Sequence, residues 1–133
     1  MEEAMRQRSI NIESIGHPQP IPLACRIGPI LATGGIMGRD SETRVMPEDV
    51  AGQAANCFRN LALVLAEAGM DMGDVVKITC HVRDDGAREA INASWLEHYP
   101  DPAHRPARHT QIAILRGAVL IQLDALAVAK EAA

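Results

Sequence analysis

The stretch "AVLIQLDALAVA", Ala118 to Ala129, decides the fold of this 133-residue chain. It is apolar at nearly every position from Val119 to Val128, which is typical of a strand buried on both faces. The rest of the sequence predicts two helices, and these can cover one face of a sheet but not both. An apolar patch of this size is too large to leave in water. The sequence therefore predicts an oligomer in which other copies of the chain cover the second face.

The neighbouring segments predict further strands. "ARHTQIAIL" precedes the last strand, and Arg116-Gly117 between them predicts a hairpin. "VVKITCHV", Val75 to Val82, is rich in β-branched residues and predicts another strand. Three strands are expected earlier in the chain, one near Ile10 to Ile15 and two within "ACRIGPILATGG", the last ending at Gly34-Gly35. The polar stretch "IMGRDSETRVM" after them is predicted to be a loop.

Two helices separate these strands. The first is predicted to begin near Pro47, which suits the first helical position, and to end at Gly69. The second runs from about Gly86 to His98. The order β-β-β-α-β-α-β-β predicts a two-layer α+β fold, with a mixed sheet and two helices on one face. We expect a single domain over residues 1–133, with residues 1–8 as a loose extension.

Composition excludes several classes of function. The net charge is −4 and the chain has three aromatic residues, so it lacks the basic field and stacking platforms of a nucleic-acid binder. The cysteines, Cys25, Cys57 and Cys80, are odd in number and form no CxxC motif, which favours free thiols in the cytoplasm. The first residues are not a signal peptide, and no run approaches the ~18 apolar residues of a membrane helix. None of the five histidines stands at metal-ligand spacing, so no metal is expected.

Arg108 is the strongest candidate for chemistry. In "RPARHTQIAI", Arg105 to Ile114, it stands where an extended segment becomes an apolar strand. A partly buried guanidinium needs an anion, and a carboxylate matches its planar fork with two hydrogen bonds. The residues alone leave the partner open: it is Asp124, Asp40 or a small carboxylic acid substrate.

Four segments, in order and over about Ile15 to Val128, resemble the Rid (YjgF) family of reactive intermediate deaminases. "GPILATGGI" resembles an early strand of that family that ends in Ser-Gly, and "AGMDMGDVVKITCHVRD" resembles "AGL…DVVKTTVFV". "INASWLEHYP" resembles "VNATYEAFF", and "RPARHTQIAIL…VLIQLDALAV" resembles "PARS…IEIEAIAV". The resemblance covers nearly the whole chain.

This resemblance implies a chorismate-mutase-like subunit in a homotrimer with a central β barrel and sites between subunits. It implies that Arg108 binds the carboxylate of a 2-imino or 2-enamino acid, with the backbone at Thr110 assisting. The reaction that it implies is hydrolysis to a 2-oxo acid and ammonium, without a metal or an organic cofactor.

The chain departs from the family pattern at several positions. Gln122 replaces a glutamate that orients the attacking water in the family, and glutamine cannot accept a proton as a base does. Asp124 shares its strand face, and we expect it to compensate. His17 is the titratable group nearest to the position of a family tyrosine and is a candidate proton donor. Gly34-Gly35 replaces Ser-Gly and removes a hydroxyl from the substrate-binding segment.

Arg39, in "MGRD", is expected to pair with Asp40 as a loop charge. The alternative is that it reads a second acidic group, as in an aminomuconate-type substrate of aromatic degradation. Two further alternatives remain. A non-catalytic ligand-binding or protein-protective trimer is favoured by the lost glutamate. An endoribonuclease or translation inhibitor is disfavoured by the acidic charge and the scarcity of aromatics.

Overall fold

The computed structural model describes residues 8–130. The two helices are α1 (Val50–Glu67) and α2 (Arg88–His98). The seven strands are β1 (Ser9–Ile10), β2 (Ala24–Ile27), β3 (Ile30–Thr33), β4 (Ile36–Met37), β5 (Val75–Val82), β6 (Ala107–Ile112) and β7 (Ile121–Val128). The predicted loose extension lies outside the described residues, except for Arg8, whose carbonyl accepts the Arg26 N–H at 2.9 Å.

All seven strands form one mixed sheet in the order β1-β2-β3-β7-β5-β6, and β4 also pairs with β7. β5 and β6 run parallel and the other pairs are antiparallel. The predicted α+β architecture with two helices and a mixed sheet is therefore confirmed. β7 is central because it pairs with β5 on one side and with β3 and β4 on the other.

Burial alternates strictly along β7 and defines two faces of the sheet. Its odd-numbered residues face the helices and are buried; they are Ile121, Leu123, Ala125 and Ala127. We call this side the helix face. Its even-numbered residues point the other way, to what we call the open face, where Gln122 and Asp124 are half-buried while Leu126 and Val128 are exposed.

The predicted hairpin between the last two strands is wrong. β6 and β7 lie on opposite sides of β5, because α2 carries the chain back to the starting end of β5 and β6 then pairs parallel to it. The chain reaches β7 only after residues 113–120. The local turn at Gly117, with φ of 57°, is real, but the two strands beside it are not paired with each other.

Three predicted boundaries also need correction. The strand expected near Ile10 to Ile15 is confined to β1, and Glu13–Ile15 forms a 3-10 turn. The stretch expected as a loop contains β4. α1 begins at Val50 and not at Pro47, because the Asp49 side chain accepts the N–H of Gly52 and so caps the helix there. Its predicted end is close: the last helical residue is Glu67, and Gly69 follows with a φ of 77°.

Gln53, fully buried in α1, ties the helix to the start of β7. Its amide nitrogen donates to the carbonyls of Pro47 and Ala118, each at 2.8 Å. Its amide oxygen accepts the N–H of Leu120 at 2.8 Å. Since a buried amide is costly unless it is hydrogen-bonded, these bonds explain how glutamine is tolerated in the core.

The same helix holds the segment after β4. Asn60 donates to the carbonyls of Met37 and Arg39, each at 2.8 Å. At Gly38 the two backbones touch, since a Cβ on that residue would lie 2.4 Å from the Gln53 carbonyl oxygen. The path of the chain around Arg39 is therefore set by α1. No helix among the described residues has the length and hydropathy of a membrane span.

Candidate active site

Arg108, the second residue of edge strand β6, is held by helix α2. It pairs in register with Ile78 of β5, so its side chain lies on the helix face. Its Nη2 donates to Asn92 Oδ1 at 2.7 Å, and its Cζ lies 4.9 Å from the centroid of the Trp95 ring. Asn92 and Trp95 are three residues apart in α2 and therefore lie on one side of the helix. The guanidinium is thus fixed by a neutral amide and an indole.

Neither internal carboxylate that the sequence left open pairs with Arg108. Asp124 lies 2.6 Å from His81 Nε2. Asp40 accepts the N–H groups of Thr43 and Glu42, each at 2.9 Å, and these bonds lower its pKa, with Thr43 the larger cause. Within residues 8–130 no carboxylate forms an ion pair with Arg108. Its positive charge is held in place and not neutralised.

Arg108 lines a cleft of about 460 Å³ that also contains a second guanidinium. Its lining consists of Asn92, Trp95, Leu96, Arg105 and Arg108. The Nε of Arg105 donates to the Tyr99 carbonyl at 2.9 Å, which anchors that side chain at the rim. Sequence reasoning singled out Arg108 and missed Arg105. The "RPAR" spacing was the available signal.

Thr110 lies two residues beyond Arg108 and shares its face, paired in register with Cys80 of β5. Burial has the largest effect on the Cys80 thiol and raises its pKa to about 11. The positive charge of Arg108 acts in the opposite direction and lowers that pKa. Burial also raises the pKa of Cys57 far above its usual range. Both groups are therefore thiols at neutral pH and unsuited to act as nucleophiles.

Gln122 and the glycine pair form a second part of the site, on the open face. Gln122 pairs in register with Met37 of β4, and Gly35 lies beneath its side chain. A Cβ on Gly35 would approach Gln122 Nε2 to 2.5 Å, so the residue must be small there. At Gly34 a Cβ would be 3.6 Å from the nearest atom, the Pro22 carbonyl oxygen, which is ordinary contact. Gly34 therefore has room for a side chain, and Gly35 does not.

Asp124 shares the open face with Gln122, as strand alternation predicts. The structure adds His81, which pairs in register with Gln122 and lies 2.6 Å from Asp124. Sequence reasoning considered His81 only as a metal ligand and missed this pairing. No group of His, Cys, Asp and Glu among the described residues could hold a metal ion.

His17 and Arg39 lie near each other at the N-terminal side of the fold. His17 lines a cleft of about 560 Å³ bounded by residues 9–23, and its Nδ1 is buried without a hydrogen-bond partner. Arg39 donates to the carbonyl of Gly16, the residue before His17, at 3.3 Å. The expected pairing of Arg39 with Asp40 is wrong, because Asp40 instead caps the turn that follows it.

One chain does not bring all these residues together. Arg108 and Thr110 lie on the helix face, whereas Gln122 and Asp124 lie on the open face of the same sheet. His17 lines a separate cleft, and Arg39 is tied to the carbonyl of Gly16 beside it. The sequence-predicted residues therefore form three groups within the chain.

The sheet order and the two helices define an α+β protein of the YjgF type. The structure superimposes on the crystal structure of the YjgF gene product from E. coli with a TM-score of 0.83 and 27% identity, covering 93% of this chain and 100% of that one. The model of the family Endoribonuclease L-PSP matches residues 20–129. The chain therefore belongs to that family, as the resemblance to Rid proteins predicts.

Curated relatives carry two kinds of name. The chain is 32% identical over 104 residues to the 2-iminobutanoate/2-iminopropanoate deaminase of Salmonella typhimurium, covering 77% of this chain and 81% of that protein. It is 30% identical over 112 residues to a RutC family protein of Pasteurella multocida, covering 82% and 87%.

Proposed function

We propose that this protein is a hydrolytic deaminase of small 2-imino and 2-enamino carboxylic acids, which it converts to 2-oxo acids and ammonium. The observation that carries the proposal is the Arg108 guanidinium, fixed by Asn92 and Trp95 but left without a carboxylate. Such a group is pre-organised for an incoming carboxylate. Relatives named as imine deaminases support the same chemistry.

In the proposed reaction Arg108 binds the substrate carboxylate, and the backbone at Thr110 contributes to this binding. Water adds to the C=N carbon and gives up a proton, the carbinolamine nitrogen takes that proton, and the C–N bond breaks. The hydroxyl proton leaves as the C=O bond forms, so iminium and water become a 2-oxo acid and ammonium. The chemistry needs neither a metal nor an organic cofactor.

The proposed assembly is a homotrimer with a site at each subunit boundary. Two observations support it. Arg108 and Gln122 point to opposite faces of one sheet, so a site that uses both needs a second copy of the chain. The open face also exposes apolar side chains that a monomer would leave in water, namely Ile30, Leu126 and Val128.

In this assembly we assign water and proton handling to Gln122 and Asp124. His17 is the proposed proton donor from the N-terminal cleft, and its unpartnered Nδ1 is suited to that role. Gly34, Gly35 and Arg39 form the proposed wall of the substrate site. The three free cysteines support a cytoplasmic location.

A substrate with a second carboxylate, of the aminomuconate type, is the candidate that a specific observation favours. The cleft around Arg108 contains a second cation, Arg105, which could take the role that the sequence gave only as an alternative for Arg39. A dicarboxylic imine would engage both guanidinium groups, whereas 2-aminoacrylate would engage only Arg108.

The test generates 2-aminoacrylate or a dicarboxylic enamine in situ and follows release of ammonium and 2-oxo acid. Wild type should exceed the uncatalysed rate, and Arg108→Ala should abolish most of the excess. Arg88→Ala is the control, because Arg88 is an exposed α2 arginine already paired with Asp85. A wild type that binds a small carboxylate without turnover would be a binding protein. RNA cleavage that survives Arg108→Ala would point to a different site.

A further inference from the structure

Three side chains form a continuous hydrogen-bonded row across β6, β5 and β7 on the open face. Gln111 Nε2 lies 3.0 Å from His81 Nδ1, and His81 Nε2 lies 2.6 Å from Asp124 Oδ2. The His81 side chain is 19% exposed and that of Asp124 is 43% exposed, so the carboxylate keeps access to a ligand or water. Gln111 and His81 are register partners, and Asp124 lies diagonally across from His81.

This row can hold His81 in either charge state. With the Gln111 amide nitrogen donating to Nδ1, the ring proton sits on Nε2 and is donated to the Asp124 carboxylate. If the Gln111 amide turns over, its oxygen faces Nδ1–H, and the doubly protonated ring keeps both bonds. The ring can therefore gain or lose one proton without leaving its place.

The row lies beside the position where a family carboxylate is missing. His81 faces Gln122 directly across β5 and β7. In the family stretch "DVVKTTVFV", phenylalanine stands where this chain has His81. The acid–base pair therefore lies next to a glutamine that cannot serve as a base.

We propose that His81 is a positioning residue for Asp124, and that the His81–Asp124 pair performs the proton transfer that Gln122 cannot. Asp124 accepts the proton that water loses on adding to the C=N carbon and returns it to the leaving nitrogen. His81 donates from Nε2 and so holds the carboxylate in a fixed orientation. This inference rests on the proposed deaminase function.

Other charged groups on this face are few among the described residues. By strand alternation Lys77 shares the face on β5 and His109 shares it on β6, and Arg83 directly follows β5. Arg83 is committed to the carbonyls of Leu115 and Gly117. His17 and His109 are unchanged in a His81 variant, so a difference between its pH–rate profile and that of wild type reports on the His81–Asp124 pair.

The experiment compares kcat, KM and the pH–rate profile of wild type and His81→Phe. Its control is His104→Phe, because His104 also bonds an aspartate, Asp101, at 2.8 Å, but on the protein surface. His81→Phe should lower kcat tenfold or more, leave KM within about twofold, and alter the acid limb of the profile. His104→Phe should change none of these. Adding Gln122→Glu to His81→Phe should restore most of kcat, because it supplies a carboxylate directly.

The outcomes separate the two proposals. An active wild type whose kcat and pH profile are unchanged by His81→Phe overturns the role of His81 and leaves the deaminase function standing. A fall in kcat in His81→Phe that Gln122→Glu does not reverse also overturns the role of His81, because His81 would then have only a structural function. A wild type without turnover on any imino acid overturns both.

Discussion

Arg108 lies over the indole ring of Trp95, with its Cζ 4.9 Å from the ring centroid. The cation–π attraction and the bond to Asn92 hold the guanidinium in place, and neither neutralises its charge. The proposed binding of anions in this cleft therefore depends on keeping other carboxylates away from Arg108.

Asn92→Asp should weaken substrate binding. The new carboxylate would stand where Oδ1 lies now, 2.7 Å from Arg108 Nη2, and would compete with the ligand. Turning this exposed hydrogen bond into an ion pair stabilises the free site by up to about 1 kcal/mol, so we expect KM to rise by up to about fivefold. Steady-state kinetics measure this. Asn92→Ala, which adds no charge, should raise KM less, and equal effects of the two variants would contradict the argument.

The two neighbouring glycines should respond differently to substitution. Gly34→Ser should fold normally, because a Cβ at Gly34 meets nothing closer than 3.6 Å. Gly35→Ala should push away the Gln122 side chain and lower kcat, while costing less than about 1 kcal/mol of stability, because that side chain is flexible. Melting temperatures and kcat values test both. A fall in kcat with Gly34→Ser as large as that with Gly35→Ala would sink this assignment.

Asp74 should stabilise the protein at neutral pH. Its carboxylate accepts from Lys130 Nζ at 2.7 Å and from the Asp71 N–H at 2.9 Å, and the Lys130 bond is the main cause of its lowered pKa. A carboxyl group whose pKa is lower in the folded than in the unfolded protein stabilises the fold at pH values above its unfolded-state pKa of about 4. This stabilisation is lost as the pH falls through the pKa of the folded state.

Asp74→Asn should therefore lower the free energy of unfolding by roughly 1 kcal/mol at pH 7, because it removes the charge from a hydrogen bond with Lys130. The difference from wild type should shrink at pH 3. Urea denaturation at the two pH values measures it. Asp85→Asn serves as the control, because that carboxylate is exposed and bonded only to Arg88. A difference that is the same at both pH values would disprove the electrostatic origin.

Leu126→Asp should dissociate the proposed trimer while the subunit stays folded. The side chain is 41% exposed on the open face, so a charge there leaves the helix-face core intact. Leu63 of α1 is 40% exposed on the other side of the molecule, and Leu63→Asp is the matched control. Light scattering after size exclusion should show a monomer for the first variant only. A wild-type monomer would contradict the proposed assembly.

The sequence predicted the helices and the central strands because their apolar residues repeat densely. In α1 the apolar residues at helical spacing are buried at Ala54, Cys57, Phe58, Leu61 and Leu65. The last hairpin was mispredicted because Arg116-Gly117 is a local signal, whereas the insertion of β5 between β6 and β7 depends on pairings distant in sequence. The single-domain organisation stays a prediction.

Strand alternation predicted that Gln122 and Asp124 lie on the same face of the sheet. His81 was missed because its partner Asp124 is 43 residues away, and only the folded sheet brings the two together. The sequence also could not show that Arg108 pairs with neither Asp124 nor Asp40. Each of these carboxylates bonds to other groups, and those bonds are evident only in the folded structure.

The backbone contact between Gly38 and Gln53 limits how this protein can acquire new substrates. A side chain at Gly38 would collide with the carbonyl of a helix that also supports the core. We therefore expect natural variation in this region to exchange the groups that project from the main chain and to keep the path of the main chain. Lineages of this architecture should diversify by replacing side chains such as Gln122 and His81, with insertions between β4 and α1 restricted to the outer turn beyond Asp40.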